Sequence, residues 1–163
     1  MDLSKFELKD LLLVAIKSEE ESKNVYLALK ERVDNLLLKD RFGFLAGEEV
    51  KHKAYIEKIY RERIGENVQE LPKKNVVPLP EIHVSEDMPI SEILQGAMYA
   101  ELAAREFYLA LSKRFEDSDE ARKMLLIFAD MELGHYRLLE IEKQLAEKFE
   151  DYESMWPEFH VGP

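Results

Sequence analysis

The chain has 163 residues, 34 of them acidic and 23 basic, for a net charge of −11, and it contains no cysteine. That charge disfavours nucleic acid and anionic membrane surfaces, which select positive faces, and the missing thiols exclude disulfides, zinc ribbons and thiolate-bound iron. With 46% hydrophobic and 35% charged residues the chain can fill one hydrophobic core, and six glycines and six prolines suit long helices better than a turn-rich β fold.

The opening MDLSKFELKD has no basic-then-apolar leader pattern, and the apolar run Leu11 to Ile16 is far too short to span a membrane. A cytoplasmic protein is therefore expected. Helical periodicity runs first from about Ser4 to Asp34, with Ser4 and Glu7 as a capping box in which each side chain satisfies an orphan backbone donor. A second helix is predicted from about Leu37 to Ile64, stopped by Gly65. A third runs from about Pro89 to Phe115, and a fourth from about Asp119 to Phe149 with Asp117 and Glu120 as a second capping pair. The segment 65–89 between helices two and three holds four of the six prolines and cannot be helical. A helix of ~27 residues is ~40 Å long, and an extended segment of this length runs back along it. Helices two and three are then parallel, joined by a crossover between two tight antiparallel hairpins. The tail, 150–163, is expected to pack Trp156 and Phe159 against the bundle or a neighbouring subunit.

The two hairpins repeat one another. Residues 11–29 align with 93–111, so that Tyr26-Leu-Ala-Leu recurs as Tyr108-Leu-Ala-Leu and Glu19 falls on Glu101. After one inserted residue, Glu49-Val-Lys-His52 falls on Glu132-Leu-Gly-His135. Steps of three and four trace the inward seam of each helix. Helix one gives Leu12, Ala15, Glu19, Ser22, Tyr26, Leu29, Val33 and Leu36; helix three gives Leu94, Ala97, Glu101, Ala104, Tyr108, Leu111 and Phe115. Helix two gives Phe42, Leu45, Glu49, His52, Ile56 and Ile59; helix four gives Leu125, Phe128, Glu132, His135 and Leu139. Each seam is apolar except near its middle, where a Glu or a Glu-x-x-His pair interrupts it, so the interruptions meet at one level.

Four carboxylates in an apolar core repel one another and resist burial. They are protonated, reach solvent, or are neutralised by cations, and two histidines on the same faces favour cations. The i, i+3 spacing puts Glu and His on one helix face, and oxygen-plus-imidazole ligation suits iron or manganese, with zinc also able to bind. Two divalent ions would cancel the four carboxylate charges. Glu20, Glu21 and Glu48 point elsewhere in this register and are expected on solvated faces, and Arg105 and Glu106 on the surface or at an interface. His83 and His160, in the crossover and the tail, are not expected to be ligands.

These features resemble the ferritin-like di-iron carboxylate proteins, and within them the rubrerythrin branch, over about residues 8 to 149; the matching features are the Glu-x6-Tyr of helices one and three and the hairpin–crossover–hairpin order. The resemblance implies an all-α, ferritin-like four-helix bundle forming one domain over 1–163, with hairpins 4–64 and 90–149, crossover 65–89 and tail 150–163. It puts Glu19, Glu49, His52, Glu101, Glu132 and His135 on metal-ligand positions for two iron ions, and Tyr26 and Tyr108 on tyrosines that hydrogen-bond ligand carboxylates. Rubrerythrins commonly carry a further Glu one turn after the helix-three ligand, where this chain has Ala104, so a more symmetric site is expected, like the ferroxidase centre of bacterioferritins. The implied function is a di-iron oxidoreductase that reduces peroxide or dioxygen, working as a homodimer. Rubrerythrins typically carry a Cys-rich rubredoxin-like module; with no cysteine here, a separate electron donor such as a rubredoxin-like protein is implied. Ferroxidase and iron handling, or a non-enzymatic bundle stabilised by its metals, are the alternatives.

Overall fold

The computed structural model describes residues 1–73, 76–85 and 87–155, with side chains to residue 150. Four helices account for its regular structure: α1 (Leu8–Arg32), α2 (Leu36–Ile64), α3 (Ile90–Ser112) and α4 (Asp119–Met155). Trp156, Phe159 and His160 lie outside the described residues. No described helix is long and apolar enough to cross a membrane.

Two helix ends follow from local chemistry, the one at Gly65 as the sequence suggests. The Asn35 side chain accepts a hydrogen bond from the Leu38 backbone N–H at 3.1 Å, which caps α2. Gly65 closes the same helix at φ 83°, its N–H donating to the Arg61 carbonyl at 3.0 Å. Other ends differ from expectation. The Ser4 N–H is taken by the Asp2 carboxylate at 2.9 Å, and α1 begins only at Leu8, with no side-chain cap from Glu7. The capping box at Ser4 and Glu7 therefore does not form. Asp117 is likewise withdrawn from capping α4, because Arg63 grips both its oxygens at 2.7 and 2.9 Å. Helix α1 ends at Arg32 rather than Asp34, and Leu36, counted on its seam, is the 77% exposed first residue of α2. Helix α3 ends at Ser112, and α4 runs on through residues 150–155, which had been assigned to the tail.

Helices α1 and α2 pack as one hairpin and α3 and α4 as the other. Across the hairpins, Tyr26 of α1 meets Glu101 of α3 while Tyr108 meets Glu19. Rising numbers on α1 meet falling numbers on α3, so these helices are antiparallel. His52 meets Glu132 while His135 meets Glu49, which makes α2 and α4 antiparallel in the same way. Helices α2 and α3 must then be parallel, and residues 65–89 form the crossover between them. Arg32 secures the end of that crossover by donating to the Ser85 and Met88 carbonyls at 3.1 and 2.8 Å.

The core is split. Leu11, Leu12, Ile56, Ile59, Phe107, Leu111, Phe115 and Leu125 fill one half of the bundle; Leu29, Phe42, Leu45, Ile93, Leu94 and Leu139 fill the other. Between them lies the level of the four glutamates.

Two glycines test this account with opposite signs. Gly65→Ala is expected to destabilise the protein by about 1–2 kcal/mol, because a Cβ is disfavoured at its positive φ. Gly47→Ala, inside α2 with nothing within 4 Å of an added Cβ, is expected to stabilise it by about 0.5–1 kcal/mol. Urea denaturation midpoints at constant slope check both.

Candidate metal centre

Each helix delivers its polar seam residues to the gap between the two apolar clusters. Glu19, Glu49, Glu101 and Glu132 are 1–3% exposed, and His52 and His135 are 0% and 5% exposed. They form two overlapping groups: Glu19, Glu49, His52 and Glu132, and Glu49, Glu101, Glu132 and His135. Within each group one ligand-type atom per residue lies within 4.8 Å of all the others.

The carboxylates adopt two distinct poses. Glu49 turns one oxygen to each histidine, Oε2 at 3.4 Å from His52 Nδ1 and Oε1 at 3.3 Å from His135 Nδ1. Glu132 does the same, with both Nδ1 atoms at 3.1 Å. Glu19 and Glu101 instead divide their oxygens. Oε1 of each accepts a hydrogen bond from a tyrosine of the other hairpin, Tyr108 and Tyr26 respectively. Oε2 of each faces the cluster, 3.4 Å from His52 Nδ1 and 3.6 Å from His135 Nδ1. The pair Glu49 and Glu132 thus spans the site, while Glu19 with His52 and Glu101 with His135 close its two ends.

Burial pushes the Glu19 and Glu101 carboxyls well above the ordinary range, and the charges of Glu49 and Glu132 push them the same way. Burial would also raise Glu49, but neighbouring Glu19, His135 and His52 outweigh it and hold Glu49 low. Burial and the Glu49 charge act upward on Glu132; His135, His52 and Glu101 outweigh them. Burial would lower His52, yet Glu132, Glu19 and Glu49 raise it to about 12, and His135 is raised by Glu101, Glu132 and Glu49. Tyr26 and Tyr108 are pushed well upward by burial and then by the charges of Glu101 and Glu19, so both remain O–H donors. Burial and mutual repulsion thus favour protons on the end glutamates, while the surrounding carboxylates favour the charged form of both imidazoles.

That balance leaves hydrogen bonding incomplete. Glu49 Oε1, Glu132 Oε1 and both ring nitrogens of His52 are buried with no hydrogen-bond partner, each such group costing about 1–3 kcal/mol. Carboxylate oxygens and imidazole nitrogens that converge at one level offer, once their protons are displaced, lone pairs that fit divalent cations of the iron, manganese and zinc kind. The donor set passes the test that a metal centre requires.

All six residues proposed from the sequence as ligands come together here, and both tyrosines reach carboxylates. Glu20 pairs with Lys53 at 2.7 Å and with Lys23, Glu21 is exposed, and Arg105 donates to exposed Glu106 at 3.1 Å. Glu48 corrects expectation: it is buried rather than solvated, against its ion pair with Lys51. His83 is exposed in the crossover. Sequence reasoning missed the role of Phe128, whose ring lies 4.3 Å from that of His52 and 5.8 Å from Tyr108. Its place one turn before Glu132 on the α4 seam was the available signal.

The Rubrerythrin family model matches residues 10–143, from the first turn of α1 well into α4. A solved structure from Pyrococcus furiosus, a hypothetical protein, is similar to this chain at 32% identity and a TM-score of 0.80. That similarity covers 90% of this chain and 94% of that one. No curated protein matches the chain.

The protonation pattern has a direct consequence. Filling the site with two divalent cations is expected to displace protons from Glu19, Glu101 and the two imidazoles, up to about four in all. Cations and protons compete for the same lone pairs, so metal affinity is expected to rise with pH through the neutral range. Titration of metal-free protein with Zn²⁺ in weak buffer, read by a pH indicator, checks the count; release of fewer than two protons would contradict it.

Proposed function

We propose that this chain, which belongs to the rubrerythrin family, binds a pair of metal ions, iron in the native protein, and reduces peroxide or dioxygen as an oxidoreductase. The observation that carries the reading is the contrast between the spanning pose of Glu49 and Glu132 and the capped pose of Glu19 and Glu101. It supplies two equivalent sets of lone pairs that share two carboxylates. A pair of ferrous ions, when bound, supplies two electrons to an oxidant and positive charge to stabilise the product.

The protein's own residues set the conditions. Glu49 and Glu132 would be shared by the two cations, and Glu19 with His52 and Glu101 with His135 would hold one at each end. Four carboxylate charges match two divalent cations, so a site that is neutral with four protons is neutral again with metal. Tyr26 and Tyr108 hold the end carboxylates by one oxygen each and keep their other oxygens on the cluster. The apolar residues on either side exclude bulk water, which strengthens each electrostatic contact within. Phe128 fixes the His52 ring from its face. The 163 residues contain no cysteine, so a rubredoxin-like electron donor, with its thiolate-bound iron, would lie outside them.

The symmetry of the donor set favours a second reading, in which ferrous iron is the substrate and is passed onward after oxidation. Neither Ser22 nor Ala104, the matched positions one turn past Glu19 and Glu101, adds a carboxylate to unbalance the two ends. Repeated turnover separates the two readings. An oxidoreductase consumes many equivalents of peroxide with a reductant while retaining its iron; a ferroxidase releases ferric iron once per filling.

Anaerobic loading should reach two Fe²⁺ per chain, and one equivalent of peroxide should then develop the absorption of an oxo-bridged diferric pair. Metal content below one per chain with no such absorption would sink the proposal. Glu132→Ala should abolish the coupled pair, and Tyr26→Phe should weaken metal binding by about 10–100-fold; equilibrium dialysis against a metal buffer reads both.

A further inference from the structure

We propose that divalent cations reach the buried cluster through a gap between α1 and α3 at Ser22 and Ala104, gathered by the cavity outside it. The inference rests on the metal reading above and adds the route by which the site fills.

The gap shows in the burial pattern. Along the α1 seam, Leu12, Ala15, Glu19, Tyr26 and Leu29 are at most 3% exposed, yet Ser22 in their midst is only half-buried. On α3, Leu94, Ala97, Glu101, Tyr108 and Leu111 are at most 2% exposed, yet Ala104 is only half-buried. The two residues occupy matched places in the repeat, each one turn past an end glutamate, and both are small. A seam covered on both sides and less covered at its centre is where the proposed gap lies, at the level of the carboxylates.

Outside the slot, α1, the crossover and α3 enclose a cavity of about 250 Å³. Ser22 belongs to both seam and cavity wall; Ser18 and Ala100, also in the wall, directly precede Glu19 and Glu101. The larger cavities, of about 490 and 350 Å³, lie toward the ends of the bundle and include no sequence neighbour of the six cluster residues.

The wall chemistry selects the traveller. Glu21, Glu81 and His83 line the cavity and are exposed, and Glu21 also pairs with Lys17 at 3.0 Å. Solvated carboxylates and an imidazole concentrate a hydrated cation without holding it tightly, and a chain of net charge −11 adds to the pull. Neutral peroxide gains nothing from these charges.

Stopped-flow uptake of Co²⁺ by the metal-free full chain, followed by its visible absorption, tests the route. The surface variant Glu21→Gln/Glu81→Gln/His83→Gln should slow uptake about tenfold at low ionic strength. That difference should shrink as salt is added, with the final stoichiometry unchanged. The slot variant Ser22→Leu/Ala104→Leu should slow uptake at every ionic strength; if it fails to fold, the exposed triple variant alone decides. Wild-type uptake rates in the triple variant at low salt, with full stoichiometry, would overturn the route and leave the metal centre standing. No Co²⁺ uptake by the wild-type chain would overturn the metal reading and the route with it. Unchanged Co²⁺ uptake with slowed peroxide reaction in preloaded slot variant would assign the gap to the oxidant and likewise overturn the proposal.

Discussion

Four carboxyl groups enclosed between two apolar clusters form the constraint on which the molecule depends. Isolated buried carboxylates are strongly disfavoured, and like charges this close raise the cost again. Each polar feature of the interior answers that cost. The surrounding carboxylates favour positive charge on His52 and His135, burial favours protons on Glu19 and Glu101, and Tyr26 and Tyr108 donate to those two carboxyls. Satisfaction is still partial, since four buried atoms of Glu49, Glu132 and His52 lack hydrogen-bond partners. A core that tolerates such a residue of unmet polar demand is stabilised by its apolar parts, where each fully buried Leu, Ile or Phe contributes about 1.5–3 kcal/mol.

The same constraint fixes the topology. Glu19 finds its tyrosine donor on α3 and Glu101 finds its donor on α1, so neither hairpin can satisfy its own end glutamate. His52 on α2 faces Glu132 on α4, and His135 faces Glu49. The two hairpins are therefore interlocked by reciprocal polar contacts at mid-height, while the apolar clusters on either side hold them at the distance those contacts need. A sequence repeat becomes an approximate two-fold arrangement, and the proline-rich crossover is the length of chain required to bring the second copy back antiparallel to the first.

How much of this was legible in the sequence depended on the range of the interaction. Glu49 and His52 share a helix face by spacing alone, as do Glu132 and His135, and their interruption of apolar seams marked them without any tertiary knowledge. The reciprocity of Tyr26 and Tyr108 was not legible, because each hydroxyl crosses to the other half of the repeat. The expected capping pairs failed where another side chain took one of their groups, Arg63 taking Asp117 and Asp2 taking the Ser4 N–H, although α4 still starts at Asp119 as expected. Glu48 failed for another reason. The heptad register turned it away from the site correctly, but turning away from the site is not the same as reaching solvent, and its carboxylate lies buried against Lys51.

The division of labour among the glutamates is then a matter of which oxygens remain free. A tyrosine hydroxyl on Oε1 of Glu19 or Glu101 leaves only Oε2 turned to the cluster. No such donor reaches Glu49 or Glu132, and both of their oxygens stay turned inward, one toward each histidine. Chemically identical side chains acquire different roles from a single neighbouring hydroxyl. The tyrosines therefore do more than satisfy buried acceptors: by occupying one oxygen of each end glutamate, they leave Glu49 and Glu132 as the carboxylates with both oxygens turned to the cluster.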